Sequence, residues 1–122
     1  MPTLASMAEA VGALLKARSD TIAVSESSTG GLIAATLLVV PGASAYFIGG
    51  GVIYTHQARE ALLGVCLEDY PGMRASTEPY ALLCATAIGK RLSVTWSLGE
   101  RPAPPVRAAT ATATRRATAA LR

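Results

Sequence analysis

Aromatic residues, histidine and cysteine are scarce in this chain of 122 residues. One tryptophan, four tyrosines and one phenylalanine are too few for the row of stacked rings that binds single-stranded nucleic acid. Two cysteines, Cys66 and Cys84, are too few for a disulfide framework, and we interpret both as reduced residues in apolar surroundings. One histidine and two separated cysteines offer no metal-ligand spacing, so we predict no metal site and no cofactor.

Long hydrophobic runs are also missing. The longest apolar run, Leu32 to Pro41, is interrupted by Thr36 and has about half the length of a membrane span. The N-terminal segment has no basic residue before its apolar part and carries Glu9, unlike a secretory signal peptide. We therefore expect a soluble, cytoplasmic protein, and a hydrophobic content of 51% is sufficient for the core of one domain.

Acidic residues are absent from the last part of the chain. Residues 1–100 contain six basic and eight acidic side chains, whereas residues 101–122 contain five arginines and no acid. The net charge of +3 therefore arises from residues 101–122 alone. This segment is rich in Ala, Arg, Thr and Pro without an apolar period, so we predict a low-complexity, disordered tail. Its arginines leave open a role in binding nucleic acid, which the acidic balance of residues 1–100 does not favour.

The spacing of apolar residues predicts alternating helices and strands. Helices are predicted over residues 3–18, 32–38, 55–63 and 77–92, and strands over 21–25, 46–54 and 93–97. Thr55 and Thr77 are suitable N-cap residues. Glycines at 49–51 suggest a bulge in the second strand or a close approach of other backbone. The alternation predicts an α/β fold with a sheet covered on both faces.

A polar, glycine-rich turn between the first strand and the second helix is the strongest candidate site. It consists of Glu26, Ser27, Ser28, Thr29, Gly30 and Gly31. Ligands of open α/β sheets bind at the carboxyl ends of strands, and the N-terminus of a helix favours anions. The turn therefore predicts a phosphate or oxyanion site with a candidate serine nucleophile. Similar turns also serve only as helix caps, and this alternative stays open.

Two further residues are candidates for a role beside that turn. His56 follows the second strand and is a candidate proton acceptor for a serine, although a lone surface histidine is more often incidental. Arg59 is able to bind a phosphate through two hydrogen bonds, or simply to face solvent. No Ser/His/Asp set is recognisable in the sequence.

Four segments together resemble the CinA C-terminal domain family. Residues 23–31 (AVSESSTGG) resemble its A-E-S-C-T-G-G signature, and residues 41–50 (PGASAYFIGG) resemble its P-G-S-S-x-x-F-x-G-G stretch. Residues 54–65 (YTHQAREALLGV) resemble Y-S-N-x-x-K followed by L-G-V, and residues 76–79 (STEP) resemble V-S-E-P. The order and spacing agree, so residues 1–100 are interpreted as this domain, in partial form.

The resemblance implies a three-layer α/β/α domain with nicotinamide-nucleotide amidohydrolase (NMN deamidase) activity. This reaction converts nicotinamide mononucleotide and water to nicotinate mononucleotide and ammonia, so the implied partner is a small nucleotide substrate. The resemblance implies that Ser27 attacks the carboxamide carbon, with Glu26, Ser28, Thr29, Gly30 and Gly31 as the substrate-binding turn. Tyr54 matches the family's tyrosine. Arg59 matches its lysine, a candidate activator of the serine.

Arg59 departs from the family pattern in a way that affects the chemistry. A buried lysine is able to lose its proton and act as a base, whereas arginine in effect stays charged. Arg59 can still hold a phosphate or an oxyanion. A catalytically inactive remnant that at most binds nucleotide is therefore the main alternative to an active amidohydrolase.

The segment after Glu100 is a second departure, because the family continues with a G-x-x-G-P loop, further strands and a closing helix. Codons for the residues that start at Arg101 (RPAPPVR) permit the sequence TGAAGP in a shifted reading frame. We hypothesise that residues 101–122 are out-of-frame translation. An incomplete sheet exposes strand edges, so we also expect poor solubility or self-association into a homo-oligomer.

The coding DNA tests the frame hypothesis directly. We expect the shifted frame after Glu100 to encode a sequence similar to G-A-A-G-P. Sequencing the gene and translating all frames is the measurement. A shifted frame without such a sequence would refute the hypothesis.

Overall fold

A computed structural model describes residues 2–101 and the backbone of residues 111–115. Four strands form one sheet in the order β2-β1-β3-β4. They are β1 (Ile22–Glu26), β2 (Phe47–Val52), β3 (Trp96–Glu100) and β4 (Ala111–Arg115). Both β2 and β3 pair parallel to β1, and β4 pairs antiparallel to β3. Every residue of β1 is buried, as expected for a central parallel strand.

Helices cover both faces of this sheet. They are α1 (Leu4–Arg18), α2 (Leu32–Leu38), α3 (His56–Ala58) and α4 (Glu78–Leu92). Because alternate residues of a strand point to opposite faces, Ile22 and Val24 pack with Leu37 of α2, whereas Ala23 packs with Ile88 of α4. The predicted three-layer α/β/α arrangement is confirmed. In the described part of the chain, no helix is long and apolar enough to cross a membrane.

Two predicted helix starts are confirmed at the level of single hydrogen bonds. Thr55 Oγ1 accepts from the Ala58 N–H at 3.0 Å, and Thr77 Oγ1 accepts from the Tyr80 N–H at 3.3 Å. The third strand starts three residues later than predicted, at Trp96 rather than at residue 93. Ser93 adopts a left-handed conformation and ends α4, so the chain extends only after it.

Strand β4 lies in the segment for which no regular element was predicted, and that expectation is wrong for residues 111–115. The backbone pairs with β3 from Arg115 opposite Trp96 to Ala111 opposite Glu100. Its alternation of alanine and threonine contains no large apolar residue, so the hydrophobic pattern carried no signal. The free edge of β3 supplies the partner for its backbone groups. The tail prediction for residues 102–110 and 116–122 lies outside the described residues.

Both features suggested by the glycines of β2 are present. Ile22 pairs with Phe47 but Ala23 pairs with Gly49, so β2 carries one extra residue at this point. A Cβ atom on Gly50 would lie 2.4 Å from the carbonyl oxygen of Val24, which no real side chain tolerates. Glycine is therefore required where β2 approaches β1.

An open apolar groove lies on the face of the sheet that carries α1 and α2. Its volume is about 500 Å³, and its lining includes Leu4, Met7 and Leu14 of α1. These three side chains are 58%, 52% and 63% exposed. Exposed apolar patches are typical of surfaces that contact other proteins. The homo-oligomer expected from the sequence stays a prediction.

Two neighbouring glycines offer a matched test of the β1–β2 contact. Gly50→Ala is expected to lower the free energy of unfolding by roughly 1–3 kcal/mol, because the new methyl group meets backbone that cannot move aside. Gly49→Ala is the control, since its Cβ would meet only the Leu92 side chain, at 3.4 Å. Urea unfolding measures both. Equal effects at the two positions would contradict the close approach at Gly50.

Candidate active site

The candidate site lies at the carboxyl edge of the sheet. Because β1, β2 and β3 are parallel, the residues that follow them, Ser27, Ile53 and Arg101, lie along the same edge. The turn at residues 26–31 leads from β1 into α2, as predicted from the sequence. It therefore lies where open α/β sheets bind their ligands.

Glu26 organises this turn. Its side chain is 1% exposed, and its carboxylate accepts hydrogen bonds from Thr29 Oγ1 (2.8 Å) and from the N–H groups of Ile33 (2.8 Å) and Ala34 (3.0 Å). Those two amides belong to the first turn of α2 and have no partner within the helix. The carboxylate thus caps α2 and brings negative charge to its positive end.

This cap bears on two of the predicted substrate-binding residues. The side chains of Glu26 and Thr29 bind each other, and Glu26 occupies the helix amides that the sequence suggested for a phosphate. The alternative reading of the turn as a helix cap is therefore correct for Glu26. Direct contact of Glu26 and Thr29 with a substrate stays a prediction.

Ser27 is held in place by its backbone. Its carbonyl oxygen accepts from the Gly30 N–H at 3.0 Å, and its own N–H donates to Glu100 Oε2. Glu100 is the last residue of β3 and is 2% exposed. Within the described residues, its other oxygen, Oε1, has no hydrogen-bond partner. A second buried carboxylate therefore lies directly against the serine.

Two glycines complete the turn. Gly30 and Gly31 have φ angles of 62° and 103°, in the left-handed region that glycine adopts without strain. They carry the chain from Ser27 to the start of α2. Ser28 and Gly30 are exposed, so this side of the turn is accessible from solvent.

Arg59 is buried, so the alternative that it faces solvent is wrong. It is 4% exposed and begins a π-helical turn, Arg59–Leu63, directly after α3. Its Nη2 lies 2.5 Å from His56 Nδ1, and its Nη1 donates to the Tyr80 hydroxyl at 3.4 Å. Among the residues that the structure describes, Arg59 has no carboxylate partner and its Nε has no acceptor.

The partners of Arg59 do not compensate its charge. Arginine carries only donors, so His56 Nδ1 is the acceptor of this hydrogen bond. Burial raises the pKa of Tyr80, against the lowering effect of its hydrogen bond from Arg59. Burial also raises the pKa of the neighbouring Cys84 thiol. Both groups are therefore neutral at pH 7, and the guanidinium charge lacks a counter-ion in the described structure.

Arg59, His56 and Tyr80 form a group that we call the Arg59 cluster. Contacts through α4 bring this cluster to the same edge of the sheet as Ser27. Tyr80 lies in the first turn of α4. Its neighbour Ala81 packs so tightly on β3 that a Cβ on Gly99 would lie 2.2 Å from the Ala81 carbonyl oxygen. Gly99 immediately precedes Glu100. The first turn of α4, which contacts Arg59 through Tyr80, thus packs against the end of β3 that carries Glu100.

Tyr54 is not brought into this cluster. It follows β2 at the carboxyl edge, but its side chain is 75% exposed. The catalytic role implied by the resemblance stays a prediction for this residue.

Sequence reasoning missed Glu100 and Tyr80. An acidic residue at the carboxyl end of a strand is a recognisable signal, but the third strand was predicted to end at residue 97. Tyr80 carried no signal beyond its place in a helix, because its contact with Arg59 joins residues 21 positions apart.

The fold and this site define an α/β/α domain with a serine in a glycine-rich turn at the carboxyl edge of its sheet. Residues 4–100 match the family model described as the CinA C-terminal domain. The chain belongs to the CinA family.

Individual relatives agree with this assignment. A CinA-like protein of Trichormus variabilis is 40% identical over 93 residues, which are 76% of this chain and 22% of that protein. A CinA-like protein of Sulfurihydrogenibium sp. is 47% identical over 75 residues, which are 62% of this chain and 19% of that protein. The chain thus spans about a fifth of the length of these curated relatives.

Solved structures show the same fold. The competence/damage inducible protein CihA from Agrobacterium tumefaciens superposes with a TM-score of 0.82 at 24% identity, over 95% of this chain and 76% of that one. A CinA superfamily protein from Klebsiella pneumoniae superposes with a TM-score of 0.79 at 18% identity, over 95% and 84%. The chain therefore has the same fold as these two proteins.

The role of Glu26 as a cap predicts a large effect on stability. Glu26→Ala is expected to lower the free energy of unfolding by about 3 kcal/mol or more, because three donors lose a buried charged acceptor. Glu9→Ala, at an exposed position of α1, is expected to change it by about 0.5 kcal/mol or less. Urea unfolding compares the two. Similar losses in both variants would contradict the capping role.

Proposed function

We propose that this domain hydrolyses the carboxamide of nicotinamide mononucleotide through Ser27, releasing nicotinate mononucleotide and ammonia. The observation that carries the proposal is the place of Ser27, at the carboxyl end of the central strand with a buried carboxylate on its amide. Family membership supports the substrate class only by resemblance.

In this proposal Ser27 Oγ attacks the carboxamide carbon and forms a tetrahedral oxyanion. Ammonia leaves, and water then hydrolyses the resulting ester and regenerates the serine. The amides of Ser27 and Gly30 are engaged in hydrogen bonds within the protein. We therefore assign oxyanion binding in this turn to the backbone N–H groups of Thr29 and Gly31.

Arg59 is suited to hold the phosphate of the nucleotide. A buried charge without a counter-ion is costly, and an anionic ligand that supplies the counter-ion gains binding energy. The Nε of Arg59 is buried and unpartnered among the described residues, so a phosphate oxygen that reached it would gain an unshared donor. We therefore assign Arg59 to anion binding instead of proton transfer.

Nucleotide binding without hydrolysis is the second candidate function. It is favoured by one observation: an arginine, bound to His56 and Tyr80, occupies the position of the family's lysine and cannot accept a proton. In this case the domain would retain affinity for the nucleotide and release no ammonia.

Ammonia release from nicotinamide mononucleotide tests the first function. We expect turnover by the full chain and a fall in kcat of about 10³-fold or more in Ser27→Ala, because the nucleophile is lost. Ser44→Ala is the control, because Ser44 is an exposed serine outside the glycine-rich turn, and this variant should retain full activity.

Thermal unfolding with the same ligand separates the two functions. A higher Tm with nicotinamide mononucleotide but not with nicotinamide riboside, which lacks the phosphate, supports nucleotide binding. Binding without ammonia would leave only the second function. If neither nucleotide binding nor ammonia release is observed, both functions are refuted.

A further inference from the structure

Glu100 carries a buried carboxylate with one oxygen engaged and the other unused. Oε2 accepts the backbone N–H of Ser27, while Oε1 has no partner among the described residues. The side chain is 2% exposed, so the unused oxygen is shielded from bulk solvent. Buried polar atoms are normally paired, so an unpaired one calls for an explanation.

The hydrogen bond from Ser27 fixes how far the carboxylate lies from the serine hydroxyl. The amide nitrogen and Oγ of one serine are separated by three covalent bonds, each of roughly 1.5 Å. Oε2, bonded to that nitrogen, therefore lies within about 7 Å of Oγ at most. Oε1 makes no hydrogen bond to a described residue, so it reaches the hydroxyl through a bridging water and not directly.

The other buried carboxylate and the imidazole at this edge are occupied. Glu26 uses both carboxylate oxygens on three donors of the turn and of α2. His56 accepts from Arg59 through Nδ1, and Arg59 itself cannot accept a proton. Of the carboxylates and imidazole described at this edge, Glu100 is the one anchored at Ser27 with a free acceptor atom.

We propose that Glu100 is the proton acceptor for Ser27 and performs the step that Arg59 cannot. This inference rests on the proposed function for its natural substrate. As Oγ attacks the carboxamide carbon, the hydroxyl proton passes through the bridging water to Glu100 Oε1. The same proton passes to the departing nitrogen, which leaves as ammonia. Glu100 then takes a proton from the water that hydrolyses the ester and returns it to Ser27 Oγ.

A covalent probe reads the reactivity of Ser27 without the natural substrate. Diisopropyl fluorophosphate reacts with an activated serine: Oγ bonds to phosphorus, fluoride leaves, and the hydroxyl proton goes to the base. We expect the full chain to be labelled at Ser27, as read by peptide mass, and Ser27→Ala to be unlabelled there. The labelling rate of Glu100→Gln should be lower by about 10²-fold or more. The amide of this variant still accepts from the Ser27 N–H but takes no proton.

Controls separate base chemistry from loss of structure. Glu9→Gln removes an exposed carboxylate of α1 and should label at the wild-type rate. Glu100→Asp keeps a carboxylate and should recover part of the rate that Glu100→Gln loses. Thermal unfolding identifies a variant that has failed to fold. If Glu100→Gln fails to fold, the labelling rate of Glu100→Asp tests the base role.

The outcomes separate the role of Glu100 from the choice of substrate. Labelling that depends on Glu100, together with no ammonia from nicotinamide mononucleotide, supports the base and refutes only the substrate. Equal labelling of wild type and Glu100→Gln overturns the inference, as does a wild-type Ser27 that is never labelled. With the nucleotide as substrate, a Glu100→Gln variant that raises KM and leaves kcat unchanged also overturns it.

Discussion

The carboxylate of Glu26 is the interaction on which the rest of the site depends. It lies buried at the end of the central strand and accepts three hydrogen bonds, two of them from the first turn of α2. These bonds tie strand, turn and helix into one unit, because Gly31, the N-cap residue of α2, has no side chain to cap the helix. The direction in which the chain leaves Ser27 is set by this contact.

Around that unit the fold leaves two buried groups of opposite charge incompletely paired. Glu100 lies on the Ser27 side and Arg59 on the α4 side, and each has one polar atom without a partner among the described residues. Unsatisfied buried charge lowers stability, and its retention is typical of binding and catalytic sites. A substrate with both an anionic group and a hydrogen-bond donor complements such a pair.

Much of the fold was predictable because its signals are local. Apolar spacing, threonine N-caps and the glycine-rich turn each operate within a few residues, and α1, α2 and α4 begin and end close to the predicted positions. Strand β4 was not predictable, since its alanine and threonine residues have no apolar pattern. The third strand was displaced because a left-handed serine ended α4 and delayed the extended chain.

The sequence by itself determined the α/β class, the family and the place of Ser27 in a turn after a buried strand. Only the tertiary structure decided which side chains surround that serine. Glu100 is 73 positions away in the sequence, and Arg59 meets Tyr80 across 21 positions. Periodicity and capping are local properties of the chain, whereas the contacts of buried polar groups depend on which elements the sheet brings together.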